Sequence, residues 1–196
     1  MTRFAALWHG QAAARPWVPV TDYSDATRRQ IEQPQVDRFA ATFPEHGVVL
    51  DYGCGSGLLV TMLREQGIQA FGYEPFRPPA PDLRRYTHIP FRTRGCDVVI
   101  CREVLEHIAL RHVPETVRDL CRLAKGYVYL TTRFHPKPQH LLDVATRDNL
   151  DPTHITLLNQ DFLRCLFLLE GFVRDEAKEI AMDHQHQGRV LVYRRP

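Results

Sequence analysis

No stretch of this chain is apolar for long enough to cross a membrane, and near the N-terminus the apolar run covers only Phe4 to Trp8. A spanning helix needs about 20 apolar residues and the core of a signal peptide about 7 to 15. Cysteine is sparse as well: five residues, at 54, 96, 101, 121 and 165, an odd number with no Cys-x-x-Cys pair. That argues against a disulfide framework and a thiolate zinc site, and fits a reducing compartment. An excess of one charge is also missing, since 25 Lys and Arg face 23 Asp and Glu. A dedicated nucleic-acid surface is usually strongly basic. Arg77, Arg84, Arg85, Arg92 and Arg94 crowd one stretch, which reads as a solvated basic face. Repeats and low-complexity tracts are absent. The expectation is a soluble, cytoplasmic protein with a small-molecule partner and no membrane span.

What is present is a regular alternation. At 196 residues the chain suits one domain. Residues 1–22 show no periodicity and read as an N-terminal arm or lid, with 23–196 as the domain. Ser24 is placed to cap a helix running to about Ala41. Val48 to Leu50 reads as a buried strand, Ser56 to Gln66 as a helix and 68–74 as a second strand. A short strand is expected near Tyr86 to Ile89, and a strong one at 96–102. "EVLEHIAL" starts helically, Pro114 begins a further helix, Gly126 ends it, and 127–132 makes a strand. Residues 133–153 form a long polar loop. Asn159 caps a helix to Glu170. "FVRDEAKEI" and "GRVLVYRR" read as a final antiparallel hairpin. The predicted fold class is α/β: a Rossmann-like, doubly wound, mostly parallel seven-stranded sheet with a C-terminal antiparallel hairpin.

Ligands of such sheets bind beyond the carboxyl ends of the strands. There the chain reads "VVLDYGCGSG", with Gly53, Gly55 and Gly57 two apart between strand and helix. Glycine lets the backbone turn sharply and approach a ligand closely. Position 58 is Leu, so the dinucleotide pattern Gly-x-Gly-x-x-Gly is not met, and no Gly-Lys-Ser/Thr ending makes a P-loop. Asp51, two residues before the first glycine, would repel a pyrophosphate and favour a cation. S-adenosylmethionine carries an ammonium and a sulfonium. Glu74 ends the second strand, where a carboxylate can accept both hydrogen bonds of a ribose diol.

On "VVLDYGCGSG", "GYEP", "CDVVICREVLEHI", "YVYLTT" and "DPTHITLLNQDFLRCLFLLEGF" the chain resembles the class I S-adenosylmethionine-dependent methyltransferases. The resemblance covers most of residues 47–172. It implies that Asp51, Gly53, Cys54, Gly55 and Gly57 surround the methionine end and adenosine, and that Glu74 holds the ribose. It sets Cys101 and Arg102 beside the methionine portion. The region after the second strand is shortened, so His88 or Ile89 is expected to reach the adenine.

"Glu-x-x-Glu-His" would put Glu103, Glu106 and His107 on one helical face. His154, in "DPTHI", is expected to join them. Two carboxylates and two imidazoles suit Mg²⁺, Mn²⁺ or Zn²⁺. The set resembles that of ubiquinone-pathway O-methyltransferases and small-RNA 3′-terminal 2′-O-methyltransferases. Without metal, Glu106, His107 and His154 remain candidate catalytic groups. The functional expectation is methyl transfer to a small molecule, O-methylation favoured. The alternatives are methylation of an RNA end, or a non-catalytic cofactor-binding partner subunit. His135, His140, His184 and His186 are weaker candidates.

Overall fold

The computed structural model describes residues 25–45, 47–74, 85–86, 93–134, 154–183 and 188–196. The expected arm at 1–22, Ser24, His88, Ile89, His135, His140, His184, His186 and most of the loop from 133 to 153 lie outside the described residues.

The chain runs α1 (Asp25–Thr42), β1 (Val48–Tyr52), α2 (Leu58–Glu65), β2 (Gln69–Tyr73), β3 (Arg85–Tyr86) and β4 (Cys96–Arg102). Two 3₁₀ turns follow, Leu105–His107 and Leu110–His112, then α3 (Val113–Leu123) and β5 (Ala124–Thr131). It ends with α4 (Gln160–Leu169), β6 (Val173–Arg174), α5 (Glu176–Met182) and β7 (Val190–Arg194). The sheet order is β3-β2-β1-β4-β5-β7-β6. Strands β1 to β5 pair in parallel, and β7 is antiparallel to both β5 and β6. This is the expected α/β sheet with an antiparallel C-terminal pair.

Both faces of the sheet are covered, which is why its central strands are apolar at nearly every position. Side chains alternate: Val98 and Ile100 point to a core shared with α1, α2 and α5, including Phe39, Met62 and Met182. Val99 and Cys101 point to the core of α3 and α4, with Leu120 and Phe167. The polar ends of the strands are thereby left at one edge.

Three local expectations need correction. Gly126 does not end a helix: α3 stops at Leu123 and β5 runs through the glycine. A Cβ at 126 would lie 3.0 Å from the carbonyl oxygen of Asp97, so close backbone approach explains the residue. The hairpin is shorter than expected, because only Val173 and Arg174 of "FVRDEAKEI" form a strand. Asp175 accepts the N–H of Lys178 at 3.1 Å and caps the helix α5 instead. The third correction falls at the "EVLEHIAL" segment. It makes 3₁₀ turns rather than an α-helix, and Glu103 stands before them with φ of 49°.

Candidate active site

The glycine loop takes its shape from β1 and β2. Gly53, Gly55 and Gly57 all have positive φ, at 86°, 53° and 81°. The N–H groups of Gly53 and Cys54 both donate to the carbonyl of Tyr73, at 2.8 and 3.1 Å. A Cβ on Gly53 would lie 2.5 Å from Cγ2 of Val104, so this glycine is required by packing as well as by conformation. Cys54 is buried, with its sulfur over Gly72, where a Cβ would come within 2.5 Å. It is a packed residue between two glycines.

A cleft of about 370 Å³ opens over this loop. Asp51, Gly53, Cys54, Gly55 and Arg102 line it. Glu74 is buried, and its Oε2 accepts the N–H of Gly55 at 3.1 Å. Gly57 begins α2 rather than lining the cleft. Cys101 does not line it either: its side chain is wholly buried in the core, and burial holds its thiol well above the ordinary range.

Residues of α1 complete the cleft, and the sequence reading did not single them out. Arg28, Ile31 and Glu32 face it, at the spacing of one helical side. Glu32 takes both guanidinium nitrogens of Arg102, at 2.8 and 3.3 Å. The signal available in the sequence was an apolar Ile31 set among polar residues; in the structure it is 55% exposed.

Asp51 lines the same cleft and feels the charges of both partners of this ion pair. Burial raises its carboxyl pKa from 3.8 to about 7, opposed by the charge of Arg102 and assisted by Glu32 and Glu74. Asp51 therefore titrates near neutrality, where a nearby cation would favour its ionised form.

The acid and histidine set is partly assembled. Ligand atoms of Glu106, His107 and His154 lie within 4.8 Å of one another. The two imidazole rings meet edge to face, with centroids 4.7 Å apart. Thr132 donates to Oε2 of Glu106 at 2.8 Å, while Oε1 is buried. The carbonyl of Glu106 accepts the N–H groups of Ile155 and Thr156, at 2.9 and 3.0 Å, which seats His154 beside it. Burial, then the charge of Glu103, raises the Glu106 carboxyl. Glu103 lies outside the three residues whose ligand atoms converge within 4.8 Å, but its carboxyl meets that of Glu106 in a side-chain hydrogen bond. Its left-handed backbone, with its N–H on the carbonyl of Thr131, takes it off the turn that carries Glu106 and His107. Its side chain also lines the cleft.

With this geometry in place, comparison with known proteins decides the family. The model of the methyltransferase-domain family matches residues 25–176. The chain belongs to that family. It is a class I methyltransferase, an enzyme whose methyl donor is S-adenosylmethionine. No curated protein matches the chain. Among solved structures, a SAM-dependent methyltransferase from Archaeoglobus fulgidus aligns over 85% of this chain and 94% of its own, at 16% identity and TM-score 0.63. Magnesium protoporphyrin IX methyltransferase from Synechocystis PCC 6803, with bound SAH, aligns over 99% and 95%, at 18% identity and TM-score 0.61. A Haloferax volcanii methyltransferase in complex with the Trm112 activator aligns over 90% and 98%, at 18% identity and TM-score 0.56. These likenesses are of fold. No helix among the described residues of this methyltransferase is long and apolar enough to cross a membrane.

Proposed function

We propose that this methyltransferase methylates a hydroxyl of a small-molecule acceptor in the cytoplasm. The observation that carries the reading is a second cleft, of about 250 Å³, which shares Ile31, Glu32, Arg102 and Glu103 with the first. It extends over the end of β5 to Thr131, Asp183, Arg189 and Val190. Its size suits a small molecule rather than a polymer. One of the similar folds acts, by its name, on magnesium protoporphyrin IX, which is also a small molecule.

In this reading the cofactor lies in the larger cleft. Asp51 faces its cationic end, the glycine loop surrounds the methionine part, and Glu74 takes the ribose hydroxyls. Arg28 is the cleft cation placed for its carboxylate. The acceptor hydroxyl gives its proton to His107 or His154, and its oxygen attacks the methyl carbon. The carbon–sulfur bond breaks with its electron pair on sulfur, leaving S-adenosylhomocysteine. The protein's main contribution is to align oxygen, methyl and sulfur.

Glu106, His107 and His154 also fit a divalent cation, since a buried carboxylate and two imidazoles bring ligand atoms within 4.8 Å of one another. These three would hold the metal. When bound it would lower the pKa of an acceptor hydroxyl. The test is incubation with labelled S-adenosylmethionine and four acceptor sets: catechols and other hydroxylated compounds, amines, thiols, and short RNA. Label on a small hydroxyl compound supports the reading. Label found only on RNA, or only on amines or thiols, overturns it.

A further inference from the structure

The two halves of α1 are built differently. The second half is anchored: Val36, Phe39 and the following Phe43 are buried against the sheet, and Lys178 of α5 bonds the carbonyl of Thr42. The first half carries Arg28, Ile31 and Glu32 over the cofactor cleft. Its side chains from Ala26 to Gln33 are exposed or half-buried, and ion pairs tie it to the body. Arg29 meets Glu65 at 2.8 Å, on the open surface. Glu32 meets Arg102 at 2.8 Å, with both side chains about three-quarters covered.

Pro34 separates the halves within the helix. Proline has no N–H to give the carbonyl four residues back, here Gln30, and its ring crowds that turn. The helix is therefore weakest where its anchored part meets the part above the cleft. Sharp bends of long helices concentrate at such residues.

We propose that the first half of α1 is a hinged cover of the cofactor cleft, pivoting at Pro34, and that Glu32 is the positioning residue that latches it shut on Arg102. Arg102 stands at the end of β4, so closing brings α1 to the strand end beside which the methyl is presented. The cover also forms part of the second cleft through Ile31 and Glu32. Closing it therefore shapes both seats at once, and opening it lets spent cofactor leave. The inference concerns cofactor movement alone and holds whichever acceptor is methylated.

The test is stopped-flow binding and release of S-adenosylhomocysteine, which needs no acceptor. Glu32→Gln removes the latch charge, so both the association and the dissociation rate should rise, by about threefold, the scale of a partly exposed ion pair. Pro34→Ala restores the missing helix bond, so both rates should fall. A residue that merely touched the ligand would change dissociation and leave association as it was. That result for Glu32→Gln, or wild-type rates in Pro34→Ala, overturns the proposal. Hydrogen exchange of the wild-type protein gives an independent reading. Amides 26–33 should exchange faster than 36–42 and slow on adding the ligand. Equal protection of the two halves, or no response of 26–33, overturns it as well.

Discussion

The Glu74 carboxylate accepts the backbone N–H of Gly55 at 3.1 Å. One acid at the end of β2 thus fastens the loop that follows β1. Glu74→Ala should weaken S-adenosylhomocysteine binding by about 1.5–3 kcal/mol, the range for hydrogen bonds to charged groups. Glu74→Gln, which keeps an acceptor for Gly55, should lose less. Calorimetry on both variants measures this; equal affinities for wild type and Glu74→Ala would place the ribose elsewhere.

The raised pKa of Asp51 predicts pH-dependent cofactor binding. Its folded pKa of about 7 lies above its ordinary 3.8. The neutral form favours folding, so this contribution is complete below the ordinary value, shrinks as pH rises towards about 7, and is constant beyond. A cationic ligand prefers the ionised form and lowers the pKa in the complex. Affinity should therefore rise with pH up to about 7, by up to about tenfold per unit, with proton release on binding, and level off above it. Calorimetry in buffers of different ionisation enthalpy detects the proton. Asp51→Asn should bind weakly with a flat pH profile. An unchanged profile in that variant would assign the titration to another group.

Gly53 and Val104 form a tight pair. Gly53→Ala combines a left-handed backbone with a methyl 2.5 Å from Cγ2 of Val104. A loss of about 1–3 kcal/mol in stability is expected. Adding Val104→Ala should relieve the steric part and leave the backbone part. The coupling is read from chemical denaturation of the two single variants and the double variant. Strict additivity would show that the methyl meets no obstacle.

The acid and histidine set divides by one reagent. With metal, Mn²⁺ should bind the wild-type protein in calorimetry but not His154→Ala or Glu106→Gln. Turnover should then stop in EDTA and return with Mg²⁺, Mn²⁺ or Zn²⁺. Without metal, EDTA should do nothing, and His107→Ala or His154→Ala should still lower turnover through the lost base. Full turnover in both histidine variants would remove the set from the reaction.

The elements legible in the chain were those with local causes. The glycine loop from Asp51 to Gly57 follows from turn chemistry, and 96–102 from an apolar run buried on both sides. The capped start of α4 at Asn159 follows from one side chain that accepts the N–H groups of Asp161 and Phe162. Each depends on neighbours a few residues away, so spacing reveals it. The features that spacing misread have distant partners. Glu103 leaves the expected helical face because its N–H is taken by Thr131 on the adjacent strand. Glu106 meets Thr132, and its carbonyl gathers the chain at Ile155 and Thr156. Glu32 finds Arg102 seventy positions along the chain. Such pairs exist only once α1, β4 and β5 are packed on one sheet, because the distance between them is set by topology and not by the number of residues that separate them.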